Sequence, residues 1–159
     1  MSDKKNLLYI PKIENGIVID HIPSGEGIKI LEIIHSYPQM KDVVITFGLN
    51  YLSTKFGSKD MLKLQIDFLD PKIIQHVSLV VPGVTIKSIK NYEVYKKIVI
   101  QPPDVISNLL ECRNPKCITR SERHLETVFV VVDKQHKKVK CNYCERVFNL
   151  NELETRIQP

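Results

Sequence analysis

Cysteine is missing from the first 111 residues of this 159-residue chain, which confines any thiolate chemistry to its last third. Long apolar runs are missing too. The longest, around Val77–Val84 and Val128–Val132, fall far short of the roughly 20 residues a membrane helix needs. No stretch near the opening Met-Ser-Asp-Lys-Lys-Asn resembles a signal peptide, so a reducing, cytoplasmic location is expected. A phosphate-binding glycine loop is absent: Gly25-Glu26-Gly27 lacks the third glycine and the strand-turn-helix setting of a dinucleotide fingerprint. No serine occupies a nucleophile elbow, and the histidines are scattered, with His35 and His76 on predicted helices. Without a catalytic constellation, a non-enzymatic role is expected. There is no internal repeat and no low-complexity tract.

What is present is a soluble, globular composition, 43% hydrophobic and 26% charged, long enough for one ordinary domain or two small ones. The formal charge of +5 suits polyanionic partners, from nucleic acid to nucleotide phosphates or an acidic subunit, without choosing among them. Cys112, Cys117, Cys141 and Cys144 follow the spacing C-x4-C-x23-C-x2-C. Two close pairs around a strand-rich insert are what a tetrahedral metal requires, and four sulfurs leave no position open for substrate. Arg113, Lys116, Lys140 and Arg146 flank the pairs and favour the thiolate form. The pattern reads as structural zinc. Disulfides are the alternative in an oxidising compartment, and an iron centre accepts the same four sulfurs.

Pro102-Pro103 mark a boundary, since consecutive prolines continue neither a helix nor a central strand. Ahead of them, Leu7–Ile13 and Gly16–Ile22 read as extended chain around an Asn15-Gly16 turn. Ile28, Ile30, Leu31, Ile33 and Ile34 recur at helical intervals up to Tyr37-Pro38. Val43–Leu49 reads as a strand, as does the alternation of Leu62, Leu64, Ile66 and Phe68 with Lys63, Gln65 and Asp67. Asp70-Pro71 starts a helix that ends at Pro82-Gly83, and Val84–Ile89 and Glu93–Ile100 are strands joined at Lys90-Asn91. The order is β-α-β-β-α-β plus an edge strand, the ferredoxin-like pattern of an α+β fold. Glu126–Val132 and Lys138–Lys140 form a hairpin feeding the second cysteine pair, in a small all-β unit that a metal would stabilise.

Asp20-His21 stands out at the end of an early strand. A carboxylate accepts from ribose hydroxyls, and an imidazole beside cations donates to phosphate. Lys59, Lys63, Lys87, Lys96 and Lys97 lie on strands that can meet at one end of the sheet, although lysines also serve simply to solvate an edge strand.

Val18-Ile19-Asp20-His21-Ile22-Pro23, Gly48-Leu49-Asn50, Lys59-Asp60 with Lys63, and Asn91-Tyr92-Glu93-Val94 precede the cysteine set in that order. Together they resemble the regulatory chains of aspartate carbamoyltransferase, from Leu7 to Leu150. The resemblance implies a non-catalytic subunit controlling the first committed step of pyrimidine biosynthesis. It implies an allosteric domain over residues 1–101 that binds CTP or ATP, and a domain over 102–159 that carries one zinc ion and docks on the catalytic chain. It further implies a homodimer of regulatory chains, three such dimers bridging two catalytic trimers, with neither nucleic acid nor membrane as partner. Carried over, the effector site comprises Ile10, Lys12 and Ile13 at the base, Asp20 at the ribose, and His21 with Lys97 at the phosphates. Lys63 reaches ribose or base, Val18, Ile89, Tyr92 and Val94 line the pocket, and Lys59 stands near its mouth. Asn114 and Glu145 match positions that face the catalytic chain. Pro11 lacks an N–H beside the base, Lys87 stands where an amide is usual, and Lys116 replaces an asparagine. The competing expectation is a zinc-ribbon nucleic-acid-binding protein, drawn from Arg113, Lys116, Arg120, Arg123 and the basic run from Lys134 to Lys140. No row of aromatics suited to base stacking accompanies those charges.

Overall fold

The computed structural model describes residues 11–54 and 57–156, which fall into two units, one ending at Gln101 and one beginning at Pro102. In the first, β1 (Gly16–Pro23), α1 (Gly27–Ser36), β2 (Ile45–Ser53), β3 (Gly57–Leu64), α2 (Pro71–Val80), β4 (Thr85–Lys90) and β5 (Glu93–Val99) follow one another. All pairings are antiparallel, in the order β2-β3-β1-β4-β5. Strands β1 to β4 with both helices make the ferredoxin-like arrangement, and β5 is the expected extra edge.

Alternation along each strand decides which face carries the helices. Ile17 and Ile19 of β1, Leu62 and Leu64 of β3 and Ile86 of β4 pack with Ile30, Ile33 and Ile34 of α1 and Ile73 and Val77 of α2. Burying each of these side chains contributes about 1.5–3 kcal/mol, so this layer dominates the unit's stability. Among the described residues no helix of the unit packs on the opposite face, which carries Asp20, Lys63 and Lys87 and is where polar chemistry collects.

The α2 start follows its sequence: Asp70 accepts the Lys72 amide at 2.8 Å and Pro71 opens the helix. The α1 start does not. Its N-cap, Glu26, makes no side-chain cap bond, and the fully buried Asp60 of β3 caps the helix from another strand. Asp60 Oδ2 accepts the amides of Gly25 and Gly27 at 2.9 and 3.0 Å, and Oδ1 accepts that of Asn50 at 3.0 Å. A Cβ on Gly27 would stand 2.8 Å from the Asp60 Cβ, so only glycine allows this approach. The same carboxylate lies beside two irregularities, between Ile19 and Ile22 in β1 and between Gly48 and Tyr51 in β2. They put His21 (φ 56°) and Asn50 (φ 58°) in the left-handed region.

Four expectations need amendment. The β3 strand ends at Leu64, two residues before Ile66, and Phe68 is 73% exposed. Leu64 pairs with Ile17 next to the start of β1, so the later alternating residues have no strand beside them there. The β2 strand begins at Ile45 and runs on to Ser53. The last hairpin turns at Asn91-Tyr92, both with positive φ, because Lys90 and Glu93 close it as a pair. Residues 11–13 form no strand, and the rest of Leu7–Ile13 lies outside the described residues.

The second unit is a sheet in the order β6-β7-β8-β9, from β6 (Val105–Ser107), β7 (Val128–Asp133), β8 (Lys138–Cys141) and β9 (Val147–Asn149). The predicted hairpin is β7–β8. The short edge strands carried too little periodicity to be read. Phe129, Ile106 and Val139 are its fully buried large apolar side chains. Among the described residues no helix is long and apolar enough to cross a membrane.

Candidate functional site

On the helix-free face, pairing register places residues from four strands in one row. Lys63 of β3 lies opposite Val18 of β1, Val18 opposite Lys87 of β4, and Lys87 opposite Lys97 of β5. Directly paired residues share a face, so three lysines stand in line across the sheet, with strands about 4.8 Å apart. Two residues along β1 from Val18, on the same face, sits Asp20, only 3% exposed. Its Oδ1 accepts from Lys59 Nζ at 2.8 Å and from the His21 amide at 2.7 Å, and its Oδ2 accepts from Lys87 Nζ at 2.6 Å. Burial alone would raise the Asp20 pKa, but the hydrogen bonds from Lys59 and Lys87 hold it well below the usual carboxylate range. Burial lowers that of His21; Asp20 pulls it back up, and Lys59, Lys87 and Lys97 push it down again. The free site therefore presents a neutral imidazole among cations.

Lys63 Nζ donates to the Pro11 carbonyl at 2.8 Å, which ties the N-terminal segment to the end of the row. Lys12 is near enough to help burial depress the Lys63 pKa. Beyond Lys63, a cavity of about 430 Å³ is lined by Pro11, Lys12, Ile13, Thr46 and Gln65 among others. Thr46 pairs with Lys63, so the cavity adjoins the cationic row. Ile89 pairs with Val94 by the Asn91-Tyr92 turn, and the Tyr92 amide donates to the Glu14 carbonyl at 2.9 Å. The structure thus gathers Val18, Asp20, His21, Lys59, Lys63, Ile89, Lys97 and the turn at Tyr92 around one face. Ile10 lies outside the described residues. Lys59 touches Asp20. Lys87, one of the strand lysines singled out in the sequence as well as a departure from type, is the middle lysine of the row. Thr46 and Gln65 carried no signal of their own; only the register with Lys63 exposes them.

In the second unit, Cys112, Cys117, Cys141 and Cys144 bring their sulfurs within 4.8 Å of one another. Cys112 and Cys144 are 3.7 Å apart and Cys117 and Cys141 3.8 Å, and all four thiols are free. A tetrahedral ion bound at about 2.3 Å to each sulfur sets them about 3.8 Å apart, so the cage fits one structural zinc ion. Burial pushes the Cys112 and Cys141 thiols up. Cys144 is pushed up by burial as well, but the Arg146 amide and the Asn114 side chain bring it down to about 7. Loading the cage would therefore release protons. Asn114 is buried, accepts from the Lys116 amide at 3.1 Å and offers its carbonyl to the Cys117 amide at 3.0 Å, locking the first loop. Glu145 is exposed in the left-handed region (φ 59°), its amide on the Cys141 carbonyl at 2.9 Å.

Comparison with known proteins divides the chain the same way. The family model for the aspartate carbamoyltransferase regulatory chain, allosteric domain, matches residues 8–101, and that for the metal binding domain of the same chain matches residues 104–154. The aspartate carbamoyltransferase regulatory chain of Pyrococcus abyssi is 37% identical over 146 residues, covering 92% of this chain and 95% of that protein. That of Vibrio campbellii is 38% identical over 145 residues, covering 91% and 94%. That of Thermoplasma acidophilum is 34% identical over 148 residues, covering 93% and 97%.

Proposed function

The chain belongs to the family of aspartate carbamoyltransferase regulatory chains, and on that footing we propose that its first unit binds nucleotide triphosphates and its second grips the catalytic chain. As a regulatory chain with an allosteric and a metal-binding domain, it is a non-catalytic partner of the catalytic chain.

The observation that carries the nucleotide reading is the row of Lys63, Lys87 and Lys97 beside the buried Asp20. Ammonium groups on a rigid sheet match the charge of a polyphosphate, and an ionised carboxylate accepts ribose hydroxyls. His21 gives its N–H to phosphate, and the cavity past Lys63 takes the base, where Lys12 and Ile13 offer main-chain groups. Pro11 removes one donor there, and its carbonyl is already engaged by Lys63. CTP and ATP are the effectors we propose, acting on pyrimidine biosynthesis in the cytoplasm, where the four free thiols stay reduced.

The four thiolates would hold zinc, which supplies a crosslink with no open coordination position. Its consequence lies in the loops: the exposed Glu145 and the turn closed by Asn114 keep their shape because the cage fixes their backbone. We assign the docking surface for the catalytic chain to these loops. Regulatory chains pair, and three pairs bridge two catalytic trimers. Coupling then requires only that an effector bind two quaternary arrangements with different affinity. Two of the basic residues that suggested nucleic acid are already paired within the unit, Arg120 with Glu111 at 3.1 Å and Lys134 with Asp104 at 2.6 Å.

The test is calorimetry of the zinc-loaded chain with CTP and ATP, followed by kinetics of the reconstituted complex against aspartate with each nucleotide. Saturable binding and a shifted aspartate dependence are expected. A chain that binds duplex DNA with steep salt dependence and neither nucleotide would overturn the reading.

A further inference from the structure

We propose that Lys87 is a shared group: it rests on Asp20 in the free chain and passes to the polyphosphate when an effector binds, so that the ribose acceptor opens only to ligands carrying phosphates. The inference rests on the nucleotide reading above and narrows its ligand class.

The two oxygens of Asp20 differ in their partners. Oδ1 has two donors, Lys59 Nζ and the His21 amide, and stays satisfied whatever Lys87 does. The short contact at Oδ2 is to Lys87, 2.6 Å away, with the His21 ring nitrogen at 3.9 Å. Oδ2 is thus the oxygen a ribose hydroxyl could use, and it is covered in the free chain. Asp20 is 3% exposed, so a hydroxyl cannot approach beside Lys87; it must replace it.

Lys87 also has a reason to leave. It stands directly opposite Lys97 on the same face of β4 and β5, and like charges in that relation repel. Among the described residues no ion pair involves Lys97. On the far side of Val18, Lys63 completes the row. Lys59 and Lys87 thus share the Asp20 carboxylate while Lys63 and Lys97 stand in the same row, and a polyphosphate laid along that row relieves the repulsion. The Lys87 side chain is 23% exposed and its ammonium carries three donors, so it can reach a phosphate by rotating its stem. A nucleoside without phosphates must break the Lys87–Asp20 pair and offers the ammonium nothing in return.

The test is calorimetry on the zinc-loaded full chain with cytidine, CTP and inorganic tripolyphosphate. Lys87→Met should weaken CTP and tripolyphosphate about tenfold or more, the scale of one charge-assisted hydrogen bond, and should tighten cytidine, because Oδ2 is uncovered. Lys87→Arg should restore CTP binding. Asp20→Asn should tighten tripolyphosphate, because the resting counter-ion is gone. Equal losses for cytidine and CTP in Lys87→Met, or tripolyphosphate binding unchanged in both Lys87→Met and Asp20→Asn, would overturn the shared role while leaving nucleotide binding in place. Wild-type chain that binds neither CTP nor tripolyphosphate would overturn the effector reading itself, and this one with it.

Discussion

The two units hold their shape by different means, and the difference tells where each keeps its chemistry. The first buries Ile, Leu and Val side chains of three strands under two helices, which leaves the other sheet face free for Asp20 and the lysines. The second has a small apolar centre around Phe129, Ile106 and Val139 and draws its loops around four sulfurs. A conventional core spares one face of a sheet for binding. A metal cage stiffens loops, and loops are what a partner can grip.

The largest effect should come from removing the metal. Chelation, or Cys141→Ser, should unfold the second unit and abolish association with catalytic trimers while CTP binding to the first unit persists. Structural zinc contributes on the order of 10 kcal/mol in small domains, far more than this unit's apolar centre supplies. Amide exchange across both units, before and after chelation, is the measurement. A second unit that stays protected without metal would erase the contrast.

Next in size is Asp60→Ala. It strands the amides of Gly25, Gly27 and Asn50 and should cost the first unit roughly 3 kcal/mol or more. Urea unfolding should show the loss while zinc retention is unchanged. Zinc released in step with the first unit's unfolding would mean that the units are not separately stabilised.

Smaller again is Lys97→Ala, expected to weaken CTP about tenfold and cytidine hardly at all. Equal losses for both would remove Lys97 from the phosphates.

The smallest concerns acid. His76, buried on α2 with its Nδ1 3.1 Å from the Tyr37 hydroxyl, has its pKa lowered by burial. A base whose folded pKa lies below its unfolded value adds stability that is complete above about pH 6.5 and is lost as pH falls below it. Thermal melting of the first unit should show this decline, and His76→Gln should flatten it. A melting temperature that rises on mild acidification would contradict the assignment.

Much of this was legible beforehand. The cysteine spacing announced the cage, because close pairs reach one ion only through tight turns. The helix periodicities and the Asp70-Pro71 start also survive in α1 and α2, since local propensity and one apolar stripe agree there. Strand limits were harder. Leu62 to Phe68 alternates throughout, yet β3 stops at Leu64, because its partners β1 and β2 give out there and only the Gln65 amide still reaches a neighbour, the Val44 carbonyl. Gly16 shows the reason locally: a Cβ there would meet the Leu64 carbonyl at 2.3 Å, a closeness no composition rule reveals.

By itself, then, the sequence determined which side chains could do chemistry: thiolates in two pairs, a carboxylate beside an imidazole, and lysines scattered over three strands. Only the tertiary structure decided that Lys63, Lys87 and Lys97 share one row, and that Asp20 divides its oxygens between Lys59 and Lys87. The physical reason is register. Cross-strand neighbours are set by pairing between segments far apart in the chain, and a shift of one residue would turn any of these lysines to the other face.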